Sequence, residues 1–267
     1  MATGPGTKPK IRLLHGLARC GGTLISRCLG SMDGIALLSE IHPRGLKQFH
    51  PMIQAQRWYD LFDEADLAKI SAAGDLPYGD LMALIARKFD RSGRTLILRD
   101  WTHLDFHGLP FVEASPGRPT HAPTLAGHFA VLPAAIVRHP LDQWLSIRRL
   151  VVIQGRIDMA GYMRGYRLFA ENAAHIPYIR YEDFTADPGS ALRRLCDGLE
   201  APFDPGFATR WARYKNVTGD RQHGPGAEAT EILPAQRHRP DEALLAAAAD
   251  NADYRRALDI LGYDHPV

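Results

Sequence analysis

Apolar residues along this chain follow two rhythms, and their alternation predicts the fold. Short continuous runs at 11–15 (IRLLH), 35–40 (IALLSE), 94–100 (RTLILRD) and 176–182 (IPYIRYE) are rich in branched aliphatic residues and read as buried strands. Residues 129–138 (FAVLPAAIVR) contain another, whose regular part Pro133 should confine to the last five residues because proline cannot donate to a ladder. Between these runs, apolar positions recur every three or four residues. Residues 23–30, 79–91, 139–150 and 157–172 therefore read as helices, the last with Met159, Tyr162, Met163, Tyr166 and Ala170 on one face. Asp187 followed by Pro188 starts a further helix, lined by Leu192, Leu195, Cys196 and Leu199.

Strands alternating with helices predict an α/β fold: a single domain over 11–267 with a mainly parallel sheet flanked by helices, preceded by disordered residues 1–10. The stretch 41–78 gives no clear period. Residues 113–124 (EASPGRPTHAPT) form a breaker-dense loop suited to a substrate lid, and 216–239 is a loop-like tail rich in Gly, Arg and His, followed by two short helices.

Composition narrows the class. A chain of 267 residues buries one α/β core without a second domain, and its net charge of +2 does not favour a nucleic-acid partner. The charge is uneven, however. Residues 1–32 carry Lys8, Lys10, Arg12, Arg19 and Arg27 and no acid, and residues 138–167 hold six arginines against Asp142 and Asp158, which suggests a local anion site. Three cysteines, Cys20, Cys28 and Cys196, without a secretory leader imply reduced thiols and a cytoplasmic setting. The apolar runs are too short to span a bilayer.

The chemistry-bearing segment is GLARCGGT (16–23), where a strand leads through a glycine-rich loop into a helix. Gly16, four residues, Gly21, then Gly22 and Thr23 reproduce a phosphate-binding spacing with glycine in the place of its lysine. Backbone amides of such a loop, with the helix N-terminus, make an anion cradle. The missing lysine and the lack of a second acidic motif argue against nucleoside triphosphate hydrolysis. From the residues alone, a ligand-free tight turn, a P-loop nucleotide phosphotransferase or kinase, and another kind of anion site all stay open.

Arg19, Cys20, Gly21, Gly22, Thr23 and Leu24 resemble the segment that cradles the 5′-phosphosulfate in sulfotransferases using 3′-phosphoadenosine 5′-phosphosulfate (PAPS). VRHPLDQWLS (137–146) is similar to that family's 3′-phosphate motif, an arginine at a strand end and a serine eight positions on, here Arg138 and Ser146. With the helix starting at Pro140, two turns bring position 146 round to face the same phosphate. YEDF followed by ADPGSALRRLCDGLEAPFDP resembles a third segment, in which Tyr181 stands near the adenine. The resemblance covers roughly 11–40, 94–106 and 129–207 and implies a P-loop-NTPase-like sulfotransferase fold, closer to bacterial and carbohydrate-type members. It implies PAPS as donor, no metal, and Arg19 beside the bridging oxygen. Leu24 replaces a tryptophan of the aryl and steroid members, and Arg221 is the nearest counterpart of their C-terminal anion motif.

In-line transfer also needs a base for the acceptor. His103, in RDWTHLDF, takes first place because imidazole titrates near working pH, and Glu40, in LLSEIHP, is the alternative. His103 and His107 are four apart but lack the glutamate of a zinc-protease helix, so no metal is expected there. The expected acceptor is a small molecule or carbohydrate presenting a hydroxyl or amine. A catalytically silent nucleotide-binding module of the same fold is the remaining alternative.

Overall fold

The computed structural model describes residues 7–74, 76–112, 114–219, 230–235 and 240–266. Among them, strands β1 (Lys10–Gly16), β2 (Ile35–Ile41), β3 (Thr95–Asp100), β4 (Ala130–Val137) and β5 (Tyr178–Arg180) form one sheet in the order β2-β3-β1-β4-β5. Every pairing is parallel, so all five strands end along one edge. The connections carry α1 (Gly22–Gly30), α2 (Pro51–Tyr59), α3 (Glu64–Ala73), α4 (Tyr78–Arg91), α5 (His103–Phe106), α6 (His121–Leu125), α7 (Pro140–Ile147) and α8 (Met159–Ala173). After β5 come α9 (Tyr181–Ala186), α10 (Pro188–Gly198), α11 (Phe207–Arg210), α12 (Glu242–Asp250) and α13 (Ala252–Leu261).

Alternation along each strand divides the core. Leu14, Leu37, Ile97 and Ile136 pack with α1 and α10 on one face. Ile11, Leu13, Leu38 and Leu98 pack with α2 and α4 on the other, where Ala135 and Val137 meet α7, α8 and α13. This is the two-faced burial that a parallel sheet requires. The edge strand β2 is covered by side chains of α2. Gln54 exchanges two 2.7 Å bonds with the Ser39 backbone, and the Tyr59 hydroxyl accepts from the Leu37 amide and donates to its carbonyl. Among the described residues no helix is long and apolar enough to cross a membrane.

Three expectations need correction. Regular β4 runs straight through Pro133, which pairs with Leu13 of β1. Ala135 donates its N–H towards the β5 side, to the Pro177 carbonyl, so the donor missing at Pro133 faces that same side. There β5 has not yet begun, and no ladder bond is lost. The strand expected over 176–182 shrinks to β5, because Tyr181 and Glu182 already open α9. The loop expected over 113–124 gives way to α6 from His121. Residues 1–6, 220–229 and 236–239, assigned to the disordered start and the tail, lie outside the described residues.

Arg27, only 2% exposed, ties α1 to the chain after α11: Nη2 donates to the Ala212 carbonyl at 2.6 Å, Nε to that of Tyr214 at 3.3 Å, and the guanidinium stacks over Trp211. Charge-assisted bonds of this kind contribute about 1.5–3 kcal/mol each when a partner would otherwise stay unsatisfied. Arg27→Ala is expected to lower unfolding stability by about 3 kcal/mol or more. Urea denaturation checks this, and a loss below about 1 kcal/mol would contradict the packing role.

Candidate functional site

Parallel strands leave their carboxyl ends, with unsatisfied backbone groups and adjoining loops, as the natural place for a ligand. Here that edge gathers residues from the ends of all five strands. The loop after β1 turns sharply: Arg19 has φ 70° and Gly21 φ 90°, both left-handed. Gly21 is also the N-cap of α1 and lies against the Tyr181 ring, so that a Cβ would sit 2.1 Å from it. Only glycine fits both demands. The first amides of α1 then point out of the helix without intrahelical acceptors.

The β4–α7 connection holds this loop from beside it. Arg138 Nη1 donates to the Arg19 carbonyl at 3.1 Å, Gln143 Nε2 to that of Ala18 at 2.6 Å, and Arg19 Nε donates to Ser146 Oγ at 2.9 Å. Arg138 also stacks over Tyr181, 5.0 Å from the ring centroid, and the Tyr166 hydroxyl fixes the Arg138 carbonyl. The two stretches singled out in the sequence thus meet, with Tyr181 between them. Arg138 Nε is buried with no hydrogen-bond partner. A buried donor on a guanidinium is costly to leave unmade, and its presence beside the loop fits an anionic ligand. Cys20 and Leu24 turn into the core beneath α1, so their side chains serve packing. Arg221 lies outside the described residues.

Sequence reasoning missed Arg99, at the end of β3. Its Nη1 lies 3.4 Å from Thr23 Oγ1 and 3.2 Å from both Ser39 Oγ and the Thr218 carbonyl, while Nη2 contacts Glu40 Oε1 at 3.4 Å. A Cβ on Gly22 would come 3.1 Å from Arg99 Nε. The missing loop lysine therefore has a physical counterpart: another cation, from β3, fills the space beside the loop. Glu40 itself occupies a register shift between Ser39 and Ile41 with φ 59°, a conformation a non-glycine residue adopts only when its surroundings hold it there.

The next residue, Asp100, faces the opposite side. Its carboxylate bonds His15 Nδ1 and His121 Nδ1, each at 2.8 Å, and accepts from Thr102, whose own oxygen takes the Gly16 N–H at 3.0 Å. Burial alone would raise this carboxyl; the bonds from His121 and His15 hold it well below the usual carboxylate range. This network fixes the start of the loop. Among the described residues, no group of three or more His, Cys, Asp or Glu is placed to hold a metal.

Arg19, Thr23, Glu40, Arg99 and His103 line one cavity of about 300 Å³. Burial pushes the His103 imidazole down to about 3, with His107 acting in the same direction, and burial pushes His107 down to about 4 against its bond to the Tyr162 carbonyl. His103 therefore does not titrate near neutral pH as its residue type suggests, because the apolar walls exclude the water that its charged form needs.

No protein-family model matches the chain, and no curated protein matches it significantly. Solved structures do. The sulfotransferase domain from the curacin biosynthetic pathway superposes with a TM-score of 0.64 at 19% identity, over 98% of this chain and 100% of that one. The sulfotransferase domain from the Synechococcus PCC 7002 olefin synthase gives a TM-score of 0.64 at 23% identity, over 98% of each chain.

Both histidines stay neutral in the folded protein and charge on unfolding below about pH 6.5, so the unfolded state binds more protons and stability rises with pH across that window. Stability is expected to be complete above about pH 6.5 and to fall as pH drops towards 4. His103→Asn should make the slope shallower by about 1.4 kcal/mol per pH unit, read from urea midpoints at several pH values. An unchanged slope would contradict a buried neutral His103.

Proposed function

The chain has the sulfotransferase fold, and we propose that it uses this fold to move the sulfuryl group of PAPS to an acceptor hydroxyl. The observation that carries this reading is the convergence of Arg19, Arg138 and Ser146 on one loop, with Arg138 Nε buried and unpartnered. In this reading the loop amides and Arg19 receive the 5′-phosphosulfate, Arg138 and Ser146 receive the 3′-phosphate, and Tyr181 lies beside the nucleotide.

Transfer of this kind is mostly positioning and charge neutralisation. The acceptor oxygen forms a bond to sulfur as the bond from sulfur to the donor's phosphate oxygen breaks. The bonding pair stays on the phosphate, where Arg19 and Arg99 offset the developing charge. The acceptor proton passes to a base, and we assign that role to Glu40. Its carboxylate lines the cavity, is held by Arg99 through Oε1, and sits in a strained backbone position. His103, with its imidazole pushed down to about 3, is a weak proton acceptor and serves to orient the hydroxyl.

3′-Phosphoadenosine 5′-phosphate at about a hundred times its Kd should stabilise the protein by about 2.7 kcal/mol, seen as a rise in Tm, with ATP or NAD at equal concentration doing much less. Arg138→Ala should weaken its binding about tenfold or more, and equal binding by variant and parent would remove the 3′-phosphate assignment. For the base, Glu40→Gln should lower turnover by about 10² to 10⁴ with donor affinity unchanged, and His103→Asn should act more mildly. The reverse ranking in steady-state kinetics would return the role to His103.

A further inference from the structure

The wall of the cavity beyond the reacting groups carries chemistry that selects the acceptor. Phe49, Trp101, Leu109, Phe111, Leu150 and Ile153 supply most of it. The polar side chains in the same wall are few: Gln48, and His107 and Tyr162, each with a buried atom that has no hydrogen-bond partner, Nδ1 and Oη. His107 Nε2 is 3.0 Å from the Tyr162 carbonyl and must donate to it, which leaves Nδ1 as an acceptor, while Tyr162, 0% exposed, offers a donor. Even with the Gln48 amide these groups are few, enough for a hydroxyl and its immediate neighbours. They cannot meet the ring of hydroxyls on a sugar, each of which loses water on entry and needs its own partner.

One turn of this wall also carries charge. The turn at 148–157, which gives Leu150, Val152 and Ile153 to the cavity, also carries Arg148, Arg149 and Arg156, all exposed. None of the three pairs with an acid among the described residues. Val151, 83% exposed, and Val152, 53% exposed, stand among them. A turn that lines an apolar pocket and also carries three exposed arginines without acidic partners complements a molecule that is apolar in its middle and negative at its far end.

We propose that the acceptor is an amphiphile: a hydroxyl on an apolar, aliphatic or aromatic body, with an anionic group at the end remote from that hydroxyl. This rests on the sulfotransferase reading for the fate of the hydroxyl, but the binding it describes needs no donor and is tested without one. ω-Hydroxydecanoate, decanol and methyl glucoside are titrated calorimetrically into the intact protein. ω-Hydroxydecanoate should bind about tenfold more tightly than decanol, as expected for a few partly exposed charge contacts, and methyl glucoside should not bind measurably. Combined Arg148→Glu, Arg149→Glu and Arg156→Glu should remove the advantage of the carboxylate while leaving decanol binding unchanged. Preference for the glucoside, equal affinities for the three, or a preference that survives charge reversal would overturn the proposal. The rise in Tm with 3′-phosphoadenosine 5′-phosphate, measured on the same samples, reports on the donor loop alone. Its absence alongside selective binding of ω-hydroxydecanoate would count against sulfuryl transfer while supporting the amphiphile assignment.

Discussion

The guanidinium of Arg99 is a mostly buried charge at the carboxyl end of the second strand in the sheet, and its need for partners organises the site. A charge removed from water must find oxygen acceptors, and those available belong to three different parts of the chain: Thr23 at the start of α1, Ser39 and Glu40 at the end of β2, and the Thr218 carbonyl from the C-terminal segment. Satisfying one side chain therefore brings a helix start, a strand end and a distant connection to one place. The neighbouring Asp100 does the same on the opposite face, where His15, Thr102 and His121 meet its carboxylate. Two successive residues of one strand send opposite charges to opposite faces, as the two-residue period of a strand dictates.

With the strand ends fixed in this way, the loop after β1 is clamped from both sides. Thr102 holds its beginning at Gly16, and the β4–α7 connection holds its middle through Arg138, Gln143 and Ser146. Arg138 and Gln143 use loop carbonyls as acceptors, Thr102 takes the Gly16 N–H and Ser146 the Arg19 side chain, which leaves the first amides of α1 directed at a ligand. The apolar cavity begins where this polar cluster ends. Burial in its wall is what holds His103 and His107 below the usual imidazole range.

The parts legible in the sequence were those whose physics is local. Strand periods, the glycine loop and the arginine–serine spacing all depend on residues within two helical turns of one another, and the structure brings Arg19, Arg138 and Ser146 together. What stayed hidden depends on partners far along the chain. Arg99 reads as one charged residue ending a strand, and its role exists only through contacts 59 to 119 positions away. The lowered basicity of His103 is set by the walls around it and not by its type. Pro133 was misread for a related reason: its effect depends on which side of β4 lacks a neighbour, and that is a property of sheet order.

In the proposed function, the loop from Arg19 to Leu24 and the pair Arg138 and Ser146 together form one nucleotide site. A crystal structure of the protein with 3′-phosphoadenosine 5′-phosphate decides this. The 5′-phosphate is expected against the loop amides and the start of α1, with the 3′-phosphate within hydrogen-bond reach of Arg138 Nε and Ser146. A nucleotide bound elsewhere on the protein, or a 3′-phosphate directed into solvent with Arg138 Nε still unpartnered, would contradict it.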